Sequence, residues 1–398
     1  MKITEPTPTA PIPTRPQTQF QPYFQPIVEL SSGRICGYEA LARERLASGK
    51  IVSCGPYFFE PGIDKIFLLN MDRAVRRRAL QLLPQMPDNT FLTLNISPEW
   101  IDLLALTNTS PTIELVRRYG IDPSRIIIEI TETAGNLEAL QHLVRLYRQE
   151  GMRIAIDDYG AGHSEMGRLI ALEPDIIKLD MRFFKAAVAG GIAQDAIKAI
   201  GFMAERIGCD IICEGVETTK EFNFAVDCGA QMIQGFLFYQ AAAHFTPPTA
   251  AKPQISELLK GFLTEKISQE KAALMNYRSI FQHAQQLKQI CLAQEEPSLA
   301  TLPRVSTELV RFYVCDLDGD QLSPNYEYGT LGWYSDPSSQ GLNWSGRPFL
   351  YQVLALGKIG DRNEFTTRPY RDRASRQMLK TIGLKMRDDR ILFVDYAV

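Results

Sequence analysis

Histidine is scarce in this sequence, with four in 398 residues and none paired at ligand spacing. The seven cysteines, at 36, 54, 209, 213, 228, 291 and 315, are odd in number and scattered, with no C-x-x-C pair. These absences argue against a zinc site and a disulfide framework, and they predict reduced thiols in a cytoplasmic protein. No apolar run reaches the roughly 18 residues that a membrane span needs. A net charge of −3 offers no basic surface to a nucleic-acid polymer. No G-x-G-x-x-G follows an apolar run, so a dinucleotide-binding open sheet has no support. Residues 1–21 are rich in Pro and Thr and lack a hydrophobic region. They read as a disordered leader, not a signal peptide.

What the sequence does have is a repeated alternation. Hydrophobic residues make up 45% and charged residues 22%, enough for sizeable cores. Between residues 22 and 246 run eight short apolar segments: YFQPIVEL, ICGYEAL, FLTLNIS, IIIEIT, RIAIDDY, IIKLD, IICEGV and MIQGFLF. Helical patterns such as LEALQHLVRLYRQEG separate them. Continuous apolar runs alternating with helices predict a parallel sheet covered by helices, and eight of them in this length fit a (β/α)8 TIM-type barrel. The Pro- and Ala-rich stretch near 243–254 marks a boundary. Residues 247–302 are then expected to form a linker and a long amphipathic helix. Ile255, Leu258, Leu259 and Phe262 share one face of it, and Leu274, Tyr277, Phe281, Ala284 and Leu287 resume that face. Residues 303–398 predict a smaller α+β domain, with one strand–turn–strand at LVRFYVCDLDGDQLSPNY, a helix after Asn343 and a hairpin turning near Asp388 and Asp389.

The predicted strand ends carry a consistent set of oxygen ligands. They are Glu39, Asn95, Glu129, the adjacent Asp157 and Asp158, and Glu214, with Glu217 just beyond. Lys178 and Gln234 add one cation and one amide. In a barrel the C-terminal strand ends converge on one face. A ring of carboxylates there is a hard-oxygen environment suited to Mg²⁺ or Mn²⁺. Successive strand residues point opposite ways, so Asp157 and Asp158 can serve one site only if the backbone bends there, as Gly160 and Gly162 would allow. Five carboxylates call for two metal ions, the arrangement that supports in-line phosphoryl displacement. Taken singly, a strand-end acid is more often a helix cap or a surface group. Their coincidence on several strands is what carries the reading.

The motifs YEALAR, NIS, EITET, DDYGAG, KLD, EGVE and QGF, in this order, resemble the EAL-domain family. That resemblance implies phosphodiesterase activity on cyclic di-GMP, opening it to linear pGpG with two Mg²⁺ or Mn²⁺ ions, with Ca²⁺ inhibitory, often in a homodimer. It implies Glu39, Asn95, Glu129 and Asp157 as ligands of one metal, and Asp157, Asp158 and Glu214 around the other. Lys178 would hold the attacking water or a phosphate, and Glu217 would act with Glu214. Arg43, Gln25 and Gln234 would contact substrate, and Glu132 would anchor the loop after Asp158. The family loop D-F-G-T-G-Y-S-S-L reads DYGAGHSEM here, with Ala161 in place of a hydroxyl and Glu165 adding a charge. An EAL protein that binds cyclic di-GMP as a receptor without hydrolysing it is the alternative. The C-terminal segment is similar to the PAS/Cache-type sensor folds, which implies Trp344, Arg347, Tyr370, Arg371 and Asp372 as candidates to line a pocket for an unknown small ligand; turn and core roles are the competing reading.

Overall fold

The computed structural model describes residues 20–398 except 59, 61, 97–109, 132–135, 163–165, 295, 360–363 and 388. Two compact units divide the chain at Leu263/Thr264.

Nine strands form the sheet of the first unit: β1 (Phe20–Glu29), β2 (Ile35–Arg45), β3 (Ile51–Ser53), β4 (Phe91–Ile96), β5 (Ile126–Thr131), β6 (Arg153–Tyr159), β7 (Ile176–Leu179), β8 (Asp210–Cys213) and β9 (Met232–Ile233). The order is β1-β9-β8-β7-β6-β5-β4-β2-β3, and β1 also pairs with β2, so eight strands close into a barrel. The closed barrel matches the expectation from sequence, with one difference in strand direction. β1 runs antiparallel to both β2 and β9, whereas β2 and β4–β9 are mutually parallel. The reason lies in the connection from Glu29 to Ile35, a short turn with Gly33 at φ +66°. A parallel return needs a crossover of a dozen or more residues.

The barrel strands are apolar on both sides because helices cover the outside and side chains fill the inside. Helix Leu137–Gln149, for example, is capped by the Asn136 side chain and buries Leu140, Leu143, Val144 and Tyr147. Inside, one layer gathers Ile27, Phe91, Ile127, Ala155, Ile176, Ile212 and Met232, with Cys36 packed against it. Each comes from a different strand, and together they plug the barrel as layered interiors do.

A helix from Lys252 to Ala293 follows. Its first turns bury Ile255 among the barrel's outer core, with Leu258 and Leu259 packed beside it. Its last turns bury Ile280, Ala284, Leu287 and Cys291 against the sheet of the second unit. Leu274, placed on the apolar face from the sequence, is instead 63% exposed. The second unit's antiparallel sheet contains β10 (Leu309–Asp316), β11 (Asn325–Gly329), β12 (Gly332–Asp336), β13 (Glu364–Thr366), β14 (Tyr370–Arg371), β15 (Met378–Arg387) and β16 (Arg390–Ala397), ordered β12-β11-β10-β16-β15-β13 with β14 on β15. Strand alternation sorts its two faces. Phe312, Val314, Leu392 and Val394 pack with the long helix, while Tyr313, Cys315, Ile391 and Phe393 pack with Phe349, Leu350 and Val353 of helix Pro348–Ile359. The β15–β16 hairpin and the helix after Asn343 fall where the sequence put them. The β11–β12 hairpin was not expected, because its turn at Thr330-Leu331 lacks the Asn-Gly or Asp-Gly signal. Among the described residues no helix is long and apolar enough to cross a membrane, and all seven cysteines are free.

Candidate active site

One register step beyond the apolar plug, the strand interiors turn polar. Two residues after Ile127 comes Glu129, after Ala155 comes Asp157, after Ile176 comes Lys178, after Ile212 comes Glu214 and after Met232 comes Gln234. The period of two puts each side chain on the same inward face as the plug residue before it. Glu39 on β2 pairs in register with Thr93 of β4, Asn95 pairs with Glu129, and Gln25 lies opposite Glu39. The sheet thus delivers a polar layer to the mouth formed by the C-terminal strand ends.

Lys178 is the centre of that layer and only 1% exposed. Its ammonium lies 2.7 Å from Glu214 Oε1, 2.8 Å from Asp157 Oδ1, 3.0 Å from Glu129 Oε1 and 3.4 Å from Glu39 Oε2. Two amides complete the Glu39 shell: Asn95 donates to Oε1 at 2.9 Å and Gln234 to Oε2 at 2.8 Å. Three ammonium hydrogens cannot satisfy four carboxylates. Beyond the Lys178 ammonium, neither oxygen of the fully buried Glu129 nor Oδ1 of Asp157 has a hydrogen-bond partner among the described residues.

The adjacent aspartates reach one site through a local break in the strand. β6 and β7 lose register between Ile156 and Tyr159, and Asp158 adopts φ +55°. Left-handed backbone is costly for a non-glycine residue and is held only where its surroundings enforce it. Gly160 follows at φ +94°, where a Cβ would sit 2.2 Å from the Phe183 ring. The result is two overlapping carboxylate groups, Glu39–Glu129–Asp157 and Asp157–Asp158–Glu214, each with ligand atoms within 4.8 Å of one another. Asp157 belongs to both.

The electrostatics of this crowd are uneven. Burial pushes Glu39 up, but Lys178 and the two amides outweigh it and hold the carboxyl below its ordinary range. Burial and the Glu39 charge push Glu129 well above the ordinary range. Burial, reinforced by Asp157 and Glu39 against the pull of Lys178, takes Glu214 up to about 8. Partial burial and the neighbouring Asp157 raise Asp158 to about 6. Burial alone would lower the Lys178 ammonium; Asp157, Glu129, Glu214 and Glu39 hold it well above its usual value. The lysine is a fixed positive charge, and without further cations some of its neighbours keep their protons. Divalent cations fit this donor set: all-oxygen, in two groups, with buried oxygens in the first that only the Lys178 ammonium meets among the described residues.

The other expected residues are placed as follows. Gln25 donates to the Tyr239 carbonyl at 3.5 Å, and Arg43, half-buried on β2, donates to the Ala42 carbonyl at 3.0 Å. Glu217 stands apart from the cluster and pairs with Lys185 at 2.9 Å. Glu132 and Glu165 lie outside the described residues. Sequence reading missed Arg76, which donates to the Asn95 carbonyl and to Thr112 at 3.0 Å each and pairs with Asp72 at 2.5 Å. It braces the strand end that carries Asn95. The signal was thin, one inward arginine in a helical run that contains several.

The seven motifs therefore converge on one mouth, and residues 14–241, more than half of the chain, match the family model of the EAL domain. The chain belongs to the EAL-domain family. Residues 250–398 of this EAL-domain protein match a second model, the EAL-domain associated signalling protein domain. The uncharacterized EAL-domain containing protein YkuI of Bacillus subtilis is 27% identical over 385 residues, covering 94% of this chain and 93% of that protein. A crystal structure of YkuI with substrate c-di-GMP and calcium superposes with a TM-score of 0.82 at 26% identity, over 96% of this chain and 97% of that one. The cyclic di-GMP phosphodiesterase RocR of Pseudomonas aeruginosa is 30% identical over 229 residues, which are 55% of this chain and 57% of RocR. A manganese and cyclic di-GMP complex of Klebsiella pneumoniae BlrP1 matches with a TM-score of 0.50 at 26% identity, over 60% of this chain and 59% of that one.

Proposed function

We propose that this EAL-domain protein is a metal-dependent phosphodiesterase that hydrolyses cyclic di-GMP to linear pGpG and is regulated through its C-terminal unit. The observation that supports it most is the pair of carboxylate groups sharing Asp157, with Glu129 fully buried and met only by the Lys178 ammonium among the described residues. Five carboxylates around one ammonium repel a substrate that carries two phosphodiester charges, so the bare cluster is not a binding site for it. Glu39, Asn95, Glu129 and Asp157 would hold one divalent ion, and Asp157, Asp158 and Glu214 the other. Mg²⁺ or Mn²⁺ so held supplies charge neutralisation and activation of water for in-line displacement.

The protein's own groups do the rest. Lys178 keeps its proton and places a fixed charge where the attacking water or a phosphate oxygen sits. Gln234 and Asn95 orient Glu39 through its two oxygens. Arg43, on β2 four residues beyond Glu39, is assigned to a substrate phosphate, for which a guanidinium has matching geometry. Gln25 faces the substrate beside Glu39. Glu217, tied to Lys185, steadies the segment that follows Glu214 and acts through it. Calcium, with looser coordination, is expected to occupy the sites and inhibit. The protein is proposed to act as a homodimer in the cytoplasm.

The deciding experiment is turnover of cyclic di-GMP by the full chain in Mn²⁺ and in Mg²⁺, with product identified as pGpG. Saturable binding without turnover in Mn²⁺ would reverse the reading to a cyclic di-GMP receptor.

A further inference from the structure

The second unit contains a cavity of about 860 Å³, within the size range of small-molecule sites. Trp344, Arg347, Tyr370, Arg371 and Asp372, picked out from the sequence, all line it. Its floor is locked. Arg311 pairs with Asp395 at 2.7 Å and with Asp372 at 2.8 Å. Tyr370 and Thr381 share a hydroxyl contact at 2.8 Å, and Thr381 donates to Asp395 at 2.6 Å.

Its apolar wall is fixed as well. The Trp344 indole donates to Gln321 at 2.9 Å, and Gln321, fully buried, in turn donates to Asn325 at 3.0 Å. Phe349 packs edge-on against Phe393 at 4.9 Å. Flat faces held this way require little ordering when a ligand arrives.

The charges on the wall are sorted by partner. Glu327 accepts from the Tyr334 hydroxyl, Asp336 accepts from Ser338, and Asp372 and Asp395 are taken up by Arg311. By contrast, Arg347, Arg368 and Arg373 line the same cavity and make no ion pair among the described residues. The acids are engaged, whereas among the described residues none of these three guanidinium groups meets a carboxylate; Arg347 lies over the Trp344 ring at 6.0 Å. All three are exposed and line the same cavity, and a guanidinium without a carboxylate can take an anionic oxygen pair.

The geometry points to a binding site in this cavity for a small organic anion with a flat body, its acid group at Arg347, Arg368 and Arg373 and its body against Trp344 and Phe349. A carboxylate and a phosphate ester share this chemistry, and the probes separate them. Hydrolysis in the barrel plays no part in this binding, so either can fail without the other.

The test is calorimetry and tryptophan fluorescence on the full chain in EDTA, with 4-hydroxybenzoate, GMP, and their neutral counterparts 4-hydroxybenzamide and guanosine. At least one anion should bind saturably, with its neutral counterpart at least about ten-fold weaker, as loss of a charge-assisted contact predicts. Arg347→Gln/Arg368→Gln should weaken the same anion at least about ten-fold without moving the melting temperature, and Arg373→Gln alone should weaken it less. The proposal fails if neither anion binds at millimolar concentration, if the neutral compound binds as well, or if the double variant binds like wild type. GMP binding untouched by the double variant would place GMP elsewhere and count against it here.

Discussion

Lys178 in the first unit is a buried cation and Arg311 in the second a partly buried one, each met by carboxylates, yet their surroundings balance differently. Arg311 faces two carboxylates. Asp372 also accepts from the Ser375 amide and hydroxyl at 2.8 Å each, and Asp395 accepts from Thr381. Lys178 faces four carboxylates with three hydrogens, and among the described residues nothing else reaches Glu129. A satisfied buried network specifies structure, while an unsatisfied one is costly until something completes it. The same ingredients therefore read as a brace in one unit and as an incomplete ion site in the other.

The most forceful way to break this comparison is to remove a ligand from the incomplete cluster. Glu39→Ala should lower kcat/KM for cyclic di-GMP in Mn²⁺ by about 10³-fold, the scale of losing electrostatic stabilisation in a preorganised site. Wild-type rates in this variant would contradict the metal assignment. Next comes the brace. Arg311→Met leaves two carboxylates buried without their cation and should destabilise the second unit by about 3–5 kcal/mol in urea unfolding. A loss below about 1 kcal/mol would mean that the network is not what holds the sheet. Third, added cation should separate the two clusters. Mn²⁺ at about 100 times its Kd should stabilise the barrel by about 2.7 kcal/mol, reversed by EDTA, and should leave the second unit's transition unmoved. Equal shifts in both would show non-specific binding.

Much of the barrel was legible because its signals are local. Runs such as IIIEIT and IICEGV state both the strand and, by their period, the inward polar residue that ends it. Adjacent Asp157 and Asp158 followed by Gly160 announced a bend, which the structure realises as a positive φ and a register break. The direction of β1 was hidden, because an apolar run looks the same in either direction and only the short turn before β2 distinguishes them. Arg76 was hidden because the contact that ties it to the site is with the Asn95 backbone carbonyl, which no side-chain pattern encodes, and its pairing with Asp72 four residues earlier reads as an ordinary helix-surface pair. In the second unit, Arg311 went unnoticed for a related reason. A single arginine within a strand reads as surface until the pairing of β10 with β16 brings Asp395 beside it.

The smallest effect sharpens the comparison by pH. Burial would raise the Asp372 carboxyl, but Arg311 and Ser375 outweigh it and hold it at about 2, against about 3.9 in an unfolded chain. A depressed carboxyl contributes stability in full above its unfolded value and loses it as pH falls through its folded value. Asp395, pushed up by burial against the pull of Arg311, has the opposite sign, so wild-type stability alone would mix the two. The useful quantity is the difference between wild type and Asp372→Asn. The span from about 3.9 to about 2 is worth at most about 2.6 kcal/mol, and solvent on one side of the pair reduces it to about 1–2 kcal/mol. Asp372→Asn should therefore cost that much more at pH 5 than at pH 2, because the acid removes from wild type the same charge that the substitution removes. Urea unfolding of the second unit at both pH values measures it. A cost independent of pH would mean that Asp372 acts through its turn with Ser375 and that its charge contributes nothing, leaving Asp395 as the only carboxylate that balances Arg311.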